Sequence, residues 1–381
     1  MEKKKKTGKT FRALTACSVM GIVGVLMFAG LIGEEKTFSD QENRTLQTSP
    51  DITVAGVLDG SYETAYENYQ NDQFPFRNQW IYLKSTVEKM LGKTEANGVF
   101  LGADDYLLEN FEKQPEADYA KTMEALKNFS KTNENLQQYF LLVPNAVNIY
   151  ADRLPMGAPV GDQDQAMDVF AADLTQTSIQ NVDIRELFRD NTDTQLYYRM
   201  DHHWTTDAAR LAFDPLAQSM GIEPEKTAFE RILVSDDFVG TLAAKSGFHT
   251  NQKDAIAIYT PKDGLDVVVT YVEEQKKTGT FYNKEKLETK DQYAMFLDGN
   301  HAEIRIQTPA AEDRRLLVLK DSYANCMIPF LAPYYREIVV VDPRYYYGKL
   351  QELIQAEEID QILFLYNANT FFMDRSLKNI K

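Results

Sequence analysis

Residues 316–325 read Leu-Leu-Val-Leu-Lys-Asp-Ser-Tyr-Ala-Asn. A short apolar run followed at once by polar residues predicts a buried strand that ends in a turn. The apolar pattern then resumes, so we expect a helix over 322–331 that begins at Ser322. The Ser322 hydroxyl would project at the carboxyl end of that strand, where doubly wound sheets bind their ligands.

Strand and helix patterns alternate on both sides of this stretch. The predicted strands are 138–143, 182–184, 316–319, 338–341 and 362–366, and the predicted helices are 61–70, 117–130, 165–177, 206–220, 322–331 and 349–356. Short apolar strands separated by helices predict a parallel sheet with helices on both faces, so the fold class is α/β. The glycine-containing stretch 98–108 predicts a hairpin, and the valine-rich, charged region from about 228 to 308 predicts a β-rich insertion packed beside the sheet.

The amino-terminal segment predicts a membrane anchor. Residues 1–12 are strongly basic, and residues 13–32 form an uncharged, mostly apolar run of 20, the length of a helix that spans a bilayer core. Basic residues before such a run place the N-terminus in the cytoplasm and the rest of the chain outside the cell membrane. A cleaved signal peptide is the alternative. We therefore expect a basic tail over 1–12, an anchor over 13–32, a juxtamembrane stalk over 33–70 and a catalytic domain over 71–381.

Composition excludes one class of function. The 381 residues carry a formal charge of -16, whereas nucleic-acid binding proteins usually present a basic face, so we expect no nucleic-acid partner. A content of 44% apolar residues is enough for a sizeable core. Cys17 lies in the apolar run and Cys326 is the other cysteine, so we expect no disulfide within the exported part.

The run Asp201-His202-His203-Trp204-Thr205 holds two of the four histidines of the chain. In extended backbone, residues two apart share a face, so Asp201 would orient His203 and fix its tautomer while His202 points the other way. With Ser322 as nucleophile, these residues are the members of a Ser-His-Asp triad. Taken singly, Ser322 is more typical of a helix N-cap and His203 of a buried structural histidine.

An Asp-His-His run also suggests a metal site, which needs at least three good ligands. The two remaining histidines, His249 and His301, do not stand at ligand spacing, so we expect no metal. Asp-His-His phosphoesterases carry further aspartate motifs after strands, and these are not found in this sequence.

Together the motifs resemble those of the cell-surface proteins named for their Asp-His-His-Trp motif. Through them, the chain is similar to the alginate O-acetylation proteins of the SGNH hydrolase superfamily. The matching residues are Asp201, His203, Trp204, Ser322 and Tyr323. The aspartate-histidine motif precedes the serine, which reverses the order of ordinary SGNH hydrolases. The resemblance covers residues 40–370 approximately and includes the segments 74–77, 98–108 and 238–247.

The resemblance implies an SGNH-like sheet and acyl transfer through an acyl-serine, with Ser322 as nucleophile, His203 as base and Asp201 behind it. It also implies an oxyanion-binding asparagine after a later strand, and the matching residues are Asn367 and Asn369.

Four further residues of the two motifs have expected roles. The superfamily has glycine where this chain has Lys320, which would attract an anionic substrate or mark a different turn. Like Lys320, Tyr323 is expected to contact the oxyanion or the substrate. His202 and Trp204 are expected to hold the loop in place.

The implied function is O-acetyl transfer to a cell-envelope or secreted polysaccharide by a membrane-anchored extracellular enzyme. Acetyl-CoA is not available outside the cell, so the resemblance implies a multi-pass membrane acyltransferase as the acyl donor and no bound cofactor. A carbohydrate esterase with the same triad is one alternative. A non-catalytic carbohydrate-binding or scaffold protein with the same fold is the other.

Overall fold

The computed structural model describes residues 2–39, 44–113, 115–248, 250 and 252–380, with the side chains of 2–13, 31, 38, 39, 44 and 45 outside the description. The chain divides into two compact units, Met1–Leu91 and Gly92–Lys381.

The first unit is mainly helical. Its elements are α1 (Glu2–Ile32), β1 (Phe38–Ser39), β2 (Arg44–Thr45), α2 (Val54–Asp59), α3 (Ser61–Asp72) and α4 (Arg77–Met90). The predicted helix over 61–70 is confirmed by α3. Across the part of the chain that the structure describes, no helix has both the length and the apolar character needed to cross a membrane.

The second unit is centred on an eight-stranded sheet. The strands of the whole second unit, including those of its smaller sheets, are β3 (Glu95–Ala96), β4 (Val99–Leu101), β5 (Leu107–Glu109), β6 (Gln137–Val143), β7 (Ile179–Val182), β8 (Phe229–Phe238), β9 (Asp254–Pro261), β10 (Val268–Tyr271), β11 (Lys276–Thr278), β12 (Glu303–Gln307), β13 (Arg315–Lys320), β14 (Glu337–Val341) and β15 (Gln361–Asn367). The order across the large sheet is β11-β10-β12-β14-β13-β15-β6-β7. The five strands from β14 to β7 are parallel, and β12, β10 and β11 continue the sheet in antiparallel pairs.

Helices precede, join and follow the strands of the second unit. They are α5 (Glu116–Thr132), α6 (Ala146–Ile149), α7 (Gln163–Leu174), α8 (Arg185–Arg189), α9 (Thr206–Ser219), α10 (Thr241–Ser246), α11 (Ile328–Leu331), α12 (Leu350–Ala356) and α13 (Ala368–Met373). Short 3₁₀ helices cover Ala103–Asp105, Ala151–Arg153, Pro224–Lys226, Lys284–Glu288, Gln292–Met295, Ser322–Cys326, Ala332–Tyr334 and Ser376–Asn379. Residues 316–319 and 362–366 are fully buried. Burial on both faces explains why these strands are continuous apolar runs, and it confirms the predicted α/β class.

Two predicted elements differ in detail. The strand predicted over 182–184 corresponds to β7, which runs from Ile179 to Val182. The sequence pattern misses the start of this edge strand because Gln180 and Asn181 interrupt its apolar residues. The helix predicted over 322–331 is a 3₁₀ turn, Ser322–Cys326, followed by α11. Pro329 near the start of α11 has no N–H to donate, so a continuous α-helix cannot run through this position with its full set of bonds.

The predicted insertion is only partly beside the sheet. Strands β8 and β9 form a separate antiparallel hairpin, as expected, and β4 pairs with β5 in the predicted hairpin over 98–108. However, β10, β11 and β12 belong to the main sheet. In β12 the buried Ile304 and Ile306 alternate with polar residues, and the strand pairs with β14. This pairing covers the unpaired edge that the parallel part of the sheet would otherwise present.

Candidate active site

Ser322 lies at the carboxyl end of β13, in a turn that Asp321 builds. The fully buried Asp321 carboxylate accepts the N–H of Tyr323 at 2.9 Å and so caps the 3₁₀ helix that begins at Ser322. It also accepts the Asn367 N–H at 2.8 Å, which ties the turn to the end of the neighbouring strand β15. The first N–H group of a helix has no acceptor within the helix, so the amide of Ser322 can donate to a bound group.

Asp201 orients His203 through a tight bend. One Asp201 oxygen, Oδ1, accepts both the backbone N–H of His203 at 3.0 Å and its ring Nδ1–H at 2.5 Å. Capture of a backbone N–H two residues ahead is the Asx-turn pattern, which replaces the predicted extended backbone. Asp201 and His203 are therefore paired as expected, but a local hydrogen-bonded bend brings them together, not the alternation of side chains along a strand.

The second oxygen of Asp201 is bound by α10. Its Oδ2 accepts the backbone N–H of Thr241 at 2.8 Å and the Thr241 hydroxyl at 3.0 Å. A side chain on Gly240 would place a Cβ within 2.5 Å of Oδ2 and closer still to the Asp201 Cβ. Only glycine therefore permits this approach. The family-like segment 238–247 thus supplies the support behind the aspartate.

The hydrogen-bond chain continues from His203 to Ser322, whose Oγ lies 2.7 Å from His203 Nε2. Burial lowers the pKa of His203 to about 4, aided by the nearby His202 and opposed by Asp201. Burial alone would raise the pKa of Asp201, but the adjacent His203 and His202 rings and its hydrogen bonds hold that pKa well below its usual range. At neutral pH, His203 is therefore neutral, donates from Nδ1 to Asp201 and accepts the Ser322 hydroxyl at Nε2.

The ring of His203 is held between two others. Tyr293 stacks on it with centroids 3.7 Å apart and an angle of 12°, and the His202 ring lies 3.9 Å away at 36°. The expectation that His202 points away from His203 is therefore wrong, because the bend turns both rings to the same side. Tyr293 also donates its hydroxyl to the backbone oxygen of Ser322 at 3.3 Å. It comes from the insertion, and no pattern in the sequence singles it out.

Trp204 joins the histidine loop to the serine turn. Its fully buried indole donates to the backbone oxygen of Tyr323 at 2.9 Å, and the two rings stack with centroids 5.6 Å apart. In return, the Tyr323 hydroxyl donates to the backbone oxygen of His202. Nδ1 of His202 lies 2.9 Å from the Thr241 hydroxyl. Thr205 caps α9 by accepting the N–H of Ala208. His202 and Trp204 thus bond the loop to α10 and to the serine turn.

Lys320 and Tyr323 do not face a substrate, contrary to expectation. Both side chains are fully buried. The Lys320 ammonium donates to Asn300 Oδ1 at 2.8 Å, and burial lowers its pKa to about 8. Nearby, burial raises the pKa of the Cys326 thiol to about 12, which makes it an inert, packed residue.

Asn367 is a helix cap. Its amide group donates to Asp321 Oδ2 at 2.6 Å and to the Thr370 hydroxyl at 2.7 Å, while its Oδ1 accepts the N–H of Thr370. Asn369 donates from its amide to Glu109 and to the backbone oxygen of Asn110. With their amide hydrogens engaged, neither residue serves as the expected oxyanion donor. A cap and an oxyanion donor look alike in sequence because asparagine after a strand is typical of both.

The Asp-His-His run has residue types that can also hold a metal ion. Asp201, His202 and His203 offer ligand atoms that lie within 4.8 Å of one another. However, both oxygens of Asp201 and both ring nitrogens of His203 already have partners. His301 bonds to Glu274 instead, and His249 lies outside the described residues. These residues therefore fit a triad better than a metal centre.

The fold and the site together define an α/β protein of the SGNH hydrolase class, with the histidine motif ahead of the serine. The family model described as "SGNH hydrolase-like domain, acetyltransferase AlgX" matches residues 99–289, half of the chain. The chain therefore belongs to this family.

Curated relatives match a part of the chain. It is 25% identical over 202 residues to a probable alginate O-acetylase AlgJ from Pseudomonas putida, covering 51% of this chain and 52% of that protein. The AlgJ of Pseudomonas fluorescens is 26% identical over 176 residues, 44% of each chain. This chain thus spans about half the length of the curated relatives it matches.

Two solved structures share the fold over most of the chain. A DHHW family protein from Eubacterium siraeum has a TM-score of 0.63 at 22% identity and covers 75% of this chain and 96% of its own. Bacillus cereus PatB1 with a sulfonyl adduct has a TM-score of 0.62 at 23% identity and covers 74% of this chain and 98% of its own.

Proposed function

We propose that this protein is a serine O-acyltransferase that moves an acetyl group to a hydroxyl of a cell-envelope or secreted polysaccharide. The observation that carries the proposal is the continuous chain from Asp201 through His203 to Ser322, with contacts of 2.5 and 2.7 Å. Membership of a family described as acetyltransferases favours acetyl as the group moved. Relatives named alginate O-acetylases favour a polysaccharide as the acceptor.

In the first half-reaction, Ser322 Oγ bonds to the carbonyl carbon of the acyl donor while its proton passes to His203 Nε2. Asp201, kept ionised by its hydrogen bonds, stabilises the imidazolium that forms. The tetrahedral intermediate then collapses. The bond to the donor's leaving group breaks, and that group takes the proton from His203, which leaves an acyl-serine.

In the second half-reaction, a sugar hydroxyl gives its proton to His203 Nε2 as its oxygen bonds to the acyl carbon. Ser322 Oγ then leaves and recovers the proton, so the enzyme returns to its starting state. Water in place of the sugar gives hydrolysis through the same steps. Transferase and esterase therefore differ only in the acceptor, and the ratio of their products separates them.

The acyl donor and the location are part of the proposal. A multi-pass membrane acyltransferase delivers the acetyl group, and a retained anchor over 13–32 holds the protein at the outer face of the cell membrane. The basic residues of 1–12 followed by the apolar run support this arrangement. Membrane fractionation and protease treatment of intact cells test it, since loss of the protein to the medium would exclude a retained anchor.

The catalytic proposal is tested with 4-nitrophenyl acetate and an oligosaccharide acceptor. We expect mass spectrometry to find acetyl on Ser322 and on the acceptor, and both to disappear in Ser322→Ala. Ser178→Ala is the matched control, because Ser178 precedes β7 and so lies at the amino end of the parallel strands, away from the site. If Ser322→Ala acquires acetyl as fast as the parent protein, the mechanism is wrong.

A further inference from the structure

An arginine that the triad does not use follows β14, the strand next to the one that carries the nucleophile. Strands β13 and β14 run parallel, with Leu319 next to Val341. The chain that continues from β14 as Asp342-Pro343-Arg344 therefore leaves the sheet at the same end as Ser322, immediately alongside the serine turn. Polar residues that follow neighbouring parallel strands in this way meet at one edge of the sheet.

Asp342 fixes the position of Arg344. The Arg344 guanidinium binds the Asp342 carboxylate with two bonds, from Nε at 2.8 Å and from Nη2 at 2.6 Å. Asp342 is fully buried, and its Oδ2 is also 3.6 Å from the Lys320 ammonium. A paired fork of this kind fixes the plane of the guanidinium and leaves Nη1 for another partner. The side chain of Arg344 keeps 25% exposure, so a ligand can reach it.

The charge of Arg344 acts on both sides of the nucleophile. After burial and His202, it contributes to the low pKa of His203. It also opposes the effect of burial on Asp321, the residue before Ser322, whose pKa burial raises to about 6. The positive charge of Arg344 therefore reaches both the base and the serine turn, and the oxyanion of the acyl group forms next to that turn.

The two asparagines expected to bind the negative charge that forms during attack do not supply a free donor. Acyl transfer passes through a tetrahedral oxyanion, and enzymes stabilise it with donors already in position. The amide of Ser322 is one such donor. Asn367 and Asn369 use their amide hydrogens elsewhere. The fixed, partly exposed guanidinium of Arg344, at the same end of the sheet as Ser322, has the charge and the free N–H group that such an oxyanion requires.

We infer that Arg344 is a catalytic residue whose guanidinium binds the carbonyl oxygen of the acyl donor and stabilises the oxyanion formed when Ser322 attacks. This inference rests on the proposed acyl transfer. The proton path is unchanged, because Arg344 donates hydrogen bonds and keeps its protons. The same contact forms in both half-reactions, since the acyl-serine passes through an equivalent oxyanion.

Arg344→Ala and Arg344→Lys test the inference in the full chain. The rate of Ser322 acetylation by 4-nitrophenyl acetate is measured with and without added guanidinium chloride at concentrations that leave the parent folded. We expect Arg344→Ala to lose about 100-fold in rate, as when an oxyanion donor is removed, and to recover part of it with guanidinium. Arg344→Lys should lose about tenfold, because a lysine keeps the charge without the fork.

The matched control is Arg231→Ala. Arg231 binds Asp207 with the same two-bond geometry, at 2.7 and 2.9 Å, on an exposed surface, and we expect its rate to equal that of the parent. A parent that never acetylates Ser322 would overturn the proposed function and this inference with it. If the parent reacts and Arg344→Ala reacts equally fast, only the role of Arg344 falls.

Two further outcomes guard against a purely structural effect. A slow Arg344→Ala with the circular dichroism of the parent and no recovery in guanidinium would overturn the inference, since the charge would then act only by supporting Asp342. Should Arg344→Ala fail to fold, Arg344→Lys decides, and a rate equal to that of the parent would count against a direct contact with the oxyanion.

Discussion

Replacing Asp201 with asparagine separates orientation of the base from mere packing. The Asp201 carboxylate accepts four hydrogen bonds, two from His203 and two from Thr241. An asparagine has one acceptor oxygen and one NH₂ group, so it must turn its donors toward one of these two partners. If the NH₂ group faces His203, it forces the imidazole proton from Nδ1 onto Nε2. A protonated Nε2 can no longer accept the proton of Ser322.

The expected size of the effect follows from that loss. A wrong imidazole tautomer in a serine triad costs about 10⁴-fold in rate, or about 5.5 kcal/mol of transition-state stabilisation. Facing Thr241 instead, the NH₂ group would leave a buried N–H without an acceptor, at about 1–3 kcal/mol of stability. The burst of 4-nitrophenol from 4-nitrophenyl acetate measures the first effect, and thermal unfolding measures the second.

Asp254→Asn provides the control for Asp201→Asn. Asp254 is also buried, and it accepts the N–H of Met200 at 3.0 Å and the amide of Gln195 at 2.8 Å, without a contact to His203. We expect it to lose a similar amount of stability and to keep its acetylation rate. An Asp201→Asn protein that acetylates Ser322 at the rate of the parent would refute the role of Asp201 as the residue that orients the base.

Three further predictions follow from the geometry. Only neutral His203 accepts the serine proton, so the acetylation rate should be constant near neutrality and fall as the pH drops through about 4, which a pH–rate profile measures; half-maximal rate near pH 6.5 would contradict the burial effect. Gly240→Ala should lower the acetylation rate at least tenfold and the free energy of unfolding by about 2 kcal/mol, because the new Cβ would collide with Asp201. At Gly279 the nearest atom to a new Cβ is 3.7 Å away, so Gly279→Ala should change neither quantity. Rate assays and thermal unfolding measure the two effects. Tyr293→Phe keeps the ring stacked on His203, so its acetylation rate should stay within a few-fold of the parent. Tyr293→Leu removes the stack and should slow acetylation more than tenfold. Equal acetylation rates in the two variants would show that the stack does not position the base.

The parallel strands could be predicted because burial on both faces leaves a plain mark in the sequence. Residues 316–319 and 362–366 are unbroken apolar runs, and both lie in the centre of the sheet. The sequence predicts the region of β10, β11 and β12 to lie beside the sheet, whereas these strands belong to it. In β12 the apolar residues alternate with polar ones, a pattern that shows a half-buried strand without showing which partner it pairs with, and β11 has no apolar residue at all.

The residues of the site also divide into those that a local sequence pattern marks and those that only the tertiary fold brings together. Asp201 and His203 are neighbours in sequence, and Ser322 follows a strand, so local patterns were sufficient to propose them. Arg344, whose role is proposed above, also has a usable signal in the sequence, because Asp342 and Arg344 follow a buried strand. Tyr293 reaches His203 only through the folding of the insertion, and no local pattern marks such a contact.

The sequence by itself determined the class of the sheet and the three residues that form the hydrogen-bond chain, since strand burial and motif order are properties of short segments. Tertiary structure alone decided what each polar group is free to do. It removed Lys320 from contact with substrate by burying it, used the amide hydrogens of Asn367 in a cap, and left Arg344 partly exposed at the end of the sheet that carries Ser322. The physical reason is that desolvation and the choice of hydrogen-bond partner depend on what surrounds a side chain, and those neighbours come from distant parts of the chain.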